Sequence, residues 1–221
     1  MFTITITNEL KEKCPRLALG TILCQVKNSD YDSGLWQEID KEATRVRDTF
    51  KIEEIKEQPI IAATREAYKK TGKDPNRYRP SAESLYRRIV RGIELYQITT
   101  LVDLVNLVSI KYGISIGGFD ADKVVGDVYY GIGEEGEPYC GIGRGGLNIA
   151  GLPVLRDEVG GIGTPTSDEV RTAIQPGTTR FYMNINGYAG KEFLPEIMDY
   201  SISLLKRFVK AHSIESFIVG Q

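Results

Sequence analysis

The chain has 221 residues, 41% of them hydrophobic and 26% charged, with a formal charge of −2 at pH 7. These are globular values that exclude a disordered chain, and the balance carries no global signature of a nucleic-acid binder. Cys14, Cys24 and Cys140 are odd in number and widely spaced, which points to reduced thiols rather than a disulfide framework or a zinc site. The single histidine, His212, cannot build a multi-histidine metal site, so neither a metal nor a cofactor is expected. MFTITITNEL has no basic start followed by an apolar run, and no apolar run approaches the roughly 18 residues of a membrane span. The expectation is a cytoplasmic protein with no membrane partner.

Taken in order, Phe2, Ile4 and Ile6 alternate with threonines and predict a half-buried strand. A second strand is predicted over 17–26, then helices over 34–50 and 59–71, the latter ended by Gly72. The loop KDPNRYRP leads to SAESLYRRIVRG, a helix with Ser81 as its expected N-cap and Gly92 near its end. A shorter helix is predicted over 103–110. From 116 to 188 the chain holds most of its 23 glycines and reads as short strands: 124–132, 138–143, 146–149, 153–155, 171–174 and 180–186. An amphipathic helix over 191–211 and a strand over 216–219 close the chain. With no low-complexity linker, one unit spanning 1–221 is expected. Its fold class is α/β (α+β), with a glycine-rich antiparallel barrel or sandwich core and helices packed around it.

Gly141-Ile-Gly143-Arg-Gly-Gly146 matches a dinucleotide fingerprint in letters only, because LNIAGLPVL after it is not a helix; Gly-Ile-Gly at 131, 141 and 161 reads as turns and bulges. Gly117-Gly118-Phe119-Asp120 reads as a turn between helix and sheet, with Asp120 making an Asx-type bond, or as a place where a ligand approaches bare backbone. Asp103 and Asn106 share a helix face, either as a structural network or with Asn106 at a pocket rim. Arg171, beside Thr172, is a surface arginine or a pocket-rim fork for a carboxylate or phosphate, with Asp103 or Asp120 as its acidic partner. His212 fits a helix C-terminus and has no nucleophile motif beside it.

The window 69–91 sets eight cations, among them Arg77, Arg79, Arg87 and Arg88, against Asp74 and Glu83, with Tyr68, Tyr78 and Tyr86 interleaved. It reads as a solvated face or as an RNA-binding surface whose tyrosines stack on bases.

Four stretches in a fixed order, PSAESLYRRI, TTLVDLVNLVSI, GGFDADK and TSDEVRTAIQPGTTR, resemble the B3/B4 module of the phenylalanyl-tRNA synthetase β chain, over about 78–188. The closest likeness is to free-standing proteins built around that module. The resemblance implies a B3/B4-like fold and an editing site that hydrolyses mischarged aminoacyl-tRNA with a positioned water and no dedicated nucleophile. The pocket it implies lies between the Asn106 helix end, the Gly117-Gly118 pair and the Asn186 strand; Arg171 and Thr172 are expected at its rim from the arginine's fork of donors. Two positions depart from the family pattern: Gly117 stands where the synthetase has a histidine, and Asn186 where it has the glutamate that recognises a phenol. No aminoacylation domain or class-II ATP motif is evident, so the chain alone is not expected to charge tRNA. The first expected function is deacylation of a mischarged aminoacyl-tRNA in trans. The second is a non-catalytic module binding an amino acid, a small aminoacyl compound or RNA.

Overall fold

The computed structural model describes residues 2–220. In chain order its elements are β1 (Ile4–Ile6), α1 (Asn8–Lys13), β2 (Ala18–Gln25), α2 (Ser33–Thr49), α3 (Pro59–Thr71), α4 (Ser81–Val90), α5 (Thr100–Tyr112), β3 (Ile116–Asp120), β4 (Val128–Ile132), β5 (Cys140–Gly141), β6 (Gly145–Gly146), β7 (Pro153–Arg156), β8 (Gly161–Gly163), β9 (Arg180–Gly187), α6 (Leu194–Val209) and β10 (His212–Gly220). The helices start where side chains satisfy free N–H groups: Thr7, Asp32, Gln58 and Thr99 each accept from the backbone three residues on. Gly72 and Gly113 end α3 and α5 in the left-handed region.

The strands form two four-stranded sheets, ordered β1-β4-β7-β8 and β10-β2-β9-β3, and a small β5-β6 hairpin. All pairings are antiparallel except β1 with β4. The alternation of β9 shows how the layers arise. Phe181, Met183 and Ile185 join the cluster containing Leu104, Leu107 and Val108 of α5, and Leu204 and Leu205 of α6. Tyr182, Asn184 and Asn186 point the other way. Tyr182 enters the inter-sheet cluster with Ile6, Leu19, Phe119, Tyr130, Leu155 and Ile162. Helices therefore cover one face of the second sheet, and the first sheet covers the other. The architecture is α/β with a sandwiched core, as the sequence predicts.

Several local expectations are corrected. Gly117-Gly118-Phe119-Asp120 is no turn: it lies in the buried edge strand β3, whose Gly117 and Gly118 pair with Asn184 and Met183. Gly161-Ile-Gly163, expected as a turn, is strand β8. The predicted 171–174 strand is a one-turn helix, Val170–Thr172. The predicted strands 138–143 and 146–149 shrink to the two-residue strands of the β5-β6 hairpin. Helix α1 was not predicted, and α5 extends to 100–112. Ser81 is the first helical residue and not the cap; Pro80 takes that place, and the Ser81 N–H donates to Pro165 O at 2.7 Å.

Candidate active site between the sheets

Sheet edges β3 and β8 lie on the same side of the sandwich, and segment 164–173 closes the space between them. Asp168 bridges to Gly163, and Ala173 bridges to Phe119. A cavity remains inside, lined by Gly117, Phe119, Tyr130, Leu155, Gly163, Thr164, Asp168, Asn184 and Asn186. It has room for about one water molecule.

The polar groups around that space are held in place. Asn184 Nδ2 donates to Asn186 Oδ1 at 3.0 Å, and Asn186 Nδ2 donates to Ser115 O at 2.9 Å. Tyr182 OH donates to Asn184 Oδ1 at 3.2 Å, completing a polar row on one face of β9. Thr164 Oγ1 accepts from the N–H groups of Thr166 and Ser167, folding the loop that presents Asp168. Two tyrosines fasten the loop from behind: Tyr139 OH donates to Ser167 O at 2.7 Å, and Tyr68 OH lies 2.8 Å from Thr166 Oγ1.

Asp168 is the unusual group. Its Oδ2 accepts from the Gly118 N–H at 3.0 Å, and among the described residues no cation pairs with it. Burial pushes its carboxyl up to about 7, against the opposing effect of the Gly118 bond. Such a carboxylate holds or releases a proton near neutrality.

The residues singled out in the sequence separate into groups. Gly117 and Asn186 come together in the cavity. Gly118 contributes its N–H to Asp168, while its Cα side faces Val105, Ile174 and Phe181. Asn106 is partly exposed on α5, the layer beyond the second sheet, and does not line the cavity. Its neighbour Asp103 is structural: it accepts from Trp36 Nε1 at 2.9 Å and from the Ile98 N–H at 3.0 Å, and burial raises its carboxyl. Arg171 pairs with neither Asp103 nor Asp120. Its guanidinium grips Asp157 at 2.8 and 3.0 Å and donates to Lys123 O. Asp120 instead accepts from Thr178 Oγ1 at 2.9 Å, and its other oxygen makes the Asx-type bond to the Asp122 N–H. Thr172 is fully buried with its hydroxyl unpartnered, and it is not in the cavity lining.

The basic window is partly consumed by the fold. Arg87 bonds Glu83 at 2.8 Å, and Arg88 stacks on Tyr96 and donates to Glu94 O. Lys73 is buried, donating to the carbonyls of Asn148 and Ala150. Tyr68 and Tyr86 are buried as well, which removes them as base-stacking platforms. Arg77 and Arg79 remain exposed. Among the described residues, no cluster of three or more histidine, cysteine or acidic side chains could hold a metal ion.

Asp168 was missed. It lies within TSDEVRT, which supports the family resemblance, but an aspartate in a Thr-rich turn reads as a local cap. Only the packing of that turn against two glycine-bearing sheet edges partly buries its carboxylate.

The fold and site define an α/β protein in which two open sheets enclose a small polar cavity around one unpaired carboxylate. Residues 63–204 match the B3/4 domain, and the chain belongs to that family. Among solved structures, an N-terminal fragment of the phenylalanyl-tRNA synthetase β-subunit from Pyrococcus horikoshii is similar, with a TM-score of 0.50 and 13% sequence identity. The likeness covers 100% of this chain and 55% of that one, so this chain spans about half the length of the neighbour. No curated protein matches. The chain is therefore a B3/4-family domain whose fold is similar to that of the synthetase fragment. Among the described residues, no helix is long and apolar enough to cross a membrane.

Proposed function

We propose that this domain hydrolyses the ester of a mischarged aminoacyl-tRNA in trans, with Asp168 as the general base. The observation that carries the reading is the Asp168 carboxylate, held without a cation at the wall of a water-sized cavity. In this mechanism the Asp168 carboxylate takes a proton from a water as the water oxygen bonds to the ester carbonyl carbon. The carbonyl–ribose bond breaks, and the proton passes to the departing ribose oxygen, giving free amino acid and free tRNA. The Asn184–Asn186 row supplies fixed dipoles beside the reacting centre. Family membership and the synthetase fold support tRNA as the carrier, and exposed Arg77 and Arg79 are cations available to its phosphates.

The alternative is a module that binds an amino acid, a small aminoacyl compound or RNA without chemistry. The small volume of the cavity favours it, since an intact aminoacyl-adenosine requires the site to open. Deacylation assays with a panel of mischarged tRNAs separate the two. The hydrolytic reading expects turnover by the parent and a loss of about 10²–10⁴-fold in Asp168→Asn. Turnover at equal rates in the two proteins removes Asp168 as the base, and no turnover by the parent with binding intact leaves the binding module.

A further inference from the structure

A second hollow lies farther along the inter-sheet face, away from Asp168. Its volume is about 170 Å³, and Phe2, Leu23, Gln25, Ala121, Arg180 and Glu215 are among its walls. An engineered apolar cavity of about 150 Å³ takes up benzene, so this one has room for a small organic molecule. Tyr182 packs against Phe2 and Phe119 with ring centroids 5.1 and 5.2 Å apart, and these rings separate the hollow from the Asp168 cavity. Strand register sets its chemistry. Leu23 lies opposite Tyr182 on β9 and Glu215 on β10, and Gln25 lies opposite Arg180, so these side chains share one face of the sheet. Arg180 and Glu215 thus flank β2 from its two sides, about 9–10 Å apart across the sheet. They do not pair with each other: among the described residues Arg180 bonds Asp122 alone, through Nη1 at 2.8 Å, and no cation pairs with Glu215. We propose that this hollow binds a free aliphatic α-amino acid, its carboxylate on Arg180, its ammonium on Glu215 and its side chain against Phe2 and Leu23.

This site is independent of the deacylase reading, because the two hollows share no lining residue. A ligand with one charge leaves one wall opposed: a monocarboxylate meets Glu215, and a simple amine meets Arg180. A zwitterion answers both walls. Asp122 holds one terminal nitrogen of Arg180 and so orients the fork, whose remaining N–H groups are available to a carboxylate. Leu23 and Ala121 are buried and, with Phe2, form an apolar floor that suits a hydrocarbon side chain. The volume limits that side chain to about the size of leucine's. Arg180 and Glu215 are exposed at the mouth, so a ligand enters without any separation of the sheets.

The test titrates the full chain with L-leucine, followed by calorimetry and by amide NMR shifts. A dissociation constant on the order of 1 mM is expected, with shifts centred on Leu23, Gln25, Arg180 and Glu215. Isocaproate, which lacks the ammonium, and isoamylamine, which lacks the carboxylate, should each bind the parent at least about tenfold more weakly. Arg180→Gln should weaken L-leucine about tenfold and bind isoamylamine no more weakly than the parent does. Glu215→Gln should weaken L-leucine by a similar factor and bind isocaproate no more weakly. Melting curves identify a variant that fails to fold, and the two analogues on the parent then decide. No response to about 10 mM L-leucine overturns the inference and leaves the deacylase reading untouched. Equal affinity for L-leucine and both analogues, or unchanged affinity in the two variants, overturns the roles of Arg180 and Glu215. Shifts centred on Asn184 and Asn186 that vanish in Asp168→Asn overturn the second site and place the amino acid in the cavity beside Asp168.

Discussion

At the scale of single residues, Asp168 and Asp157 show how one side chain type is driven in opposite directions. Burial alone would raise both. Asp157 has the Arg171 fork and three backbone N–H groups, from Val125, Val159 and Gly160, and its carboxyl is held below the usual range. Asp168 has one backbone N–H, and burial prevails, leaving it at about 7. The folded value of Asp168 exceeds the unfolded one, so its contribution to stability is complete below about pH 4 and is lost as pH rises through about 7. Asp168→Asn removes the charge that is costly above pH 7 and keeps an acceptor for the Gly118 N–H. The variant is expected to be more stable than the parent at pH 8, by on the order of 1–3 kcal/mol, and to lose that advantage at pH 4. Denaturant titrations at the two pH values check this, and an equal difference at both would be inconsistent with it. A gain in stability from removing a site residue is the pattern expected where function retains an unfavourable group.

At the scale of elements, the Arg171–Asp157 pair ties the one-turn helix at 170–172 to the turn after β7 and to the Lys123–Val125 segment. Asp157's side chain is 0% exposed and Arg171's is 30% exposed. Arg171→Ala would strand the carboxylate, at a cost on the order of 3 kcal/mol at neutral pH. Asp157's folded value is depressed, so this stabilisation is present above the unfolded value and lost as pH falls through the folded one. The variant's deficit should therefore shrink in acid. Arg180→Ala, breaking a pair with Asp122 in which both side chains are about half exposed, is the control and should cost under about 1 kcal/mol. Equal losses in the two variants would show that burial of the pair is unimportant.

The elements that carry strong periodicity were legible in the sequence: α2, α3, α6, β2 and β9 fall within a few residues of their predicted spans. The glycine-rich half was not. Gly117-Gly118 and Gly161-Ile-Gly163 have turn composition, yet they pair as edge strands, and Gly117 and Gly161 are glycines where Phe119 and Tyr139 take the space a side chain would fill. Of the candidate pocket, Gly117 and Asn186 converge through the β3-β9 pairing. Asn106 goes elsewhere because sequence proximity to β3 does not reveal that α5 lies behind the sheet. Asp168 acquires its character only from tertiary packing, which no local pattern encodes.

At the scale of the whole molecule, the layers place the chemistry at one side of the sandwich, where the 164–173 segment spans the two sheet edges. The Ser81 N–H bond to Pro165 O fixes the start of α4 beside that segment, so exposed Arg79 lies two residues from a contact with the loop that carries Asp168. An RNA held there would meet the protein near its candidate site. Replacing Arg77 and Arg79 together by alanine should weaken tRNA binding similarly across sequences. It should also flatten the log–log salt dependence by roughly 1.4–1.8. An unchanged affinity and salt slope would make the window a solvated face.

The central claim is that the Asp168 carboxylate does the proton transfer, and the pH dependence of deacylation tests it most directly. With spontaneous ester hydrolysis subtracted, kcat/KM of the parent is predicted to rise with pH and level off through a single ionisation near 7. Asp168→Asn should show a low rate with no such break. A parent profile that is flat between pH 5 and 8.5, or the same break surviving in the variant, would contradict it.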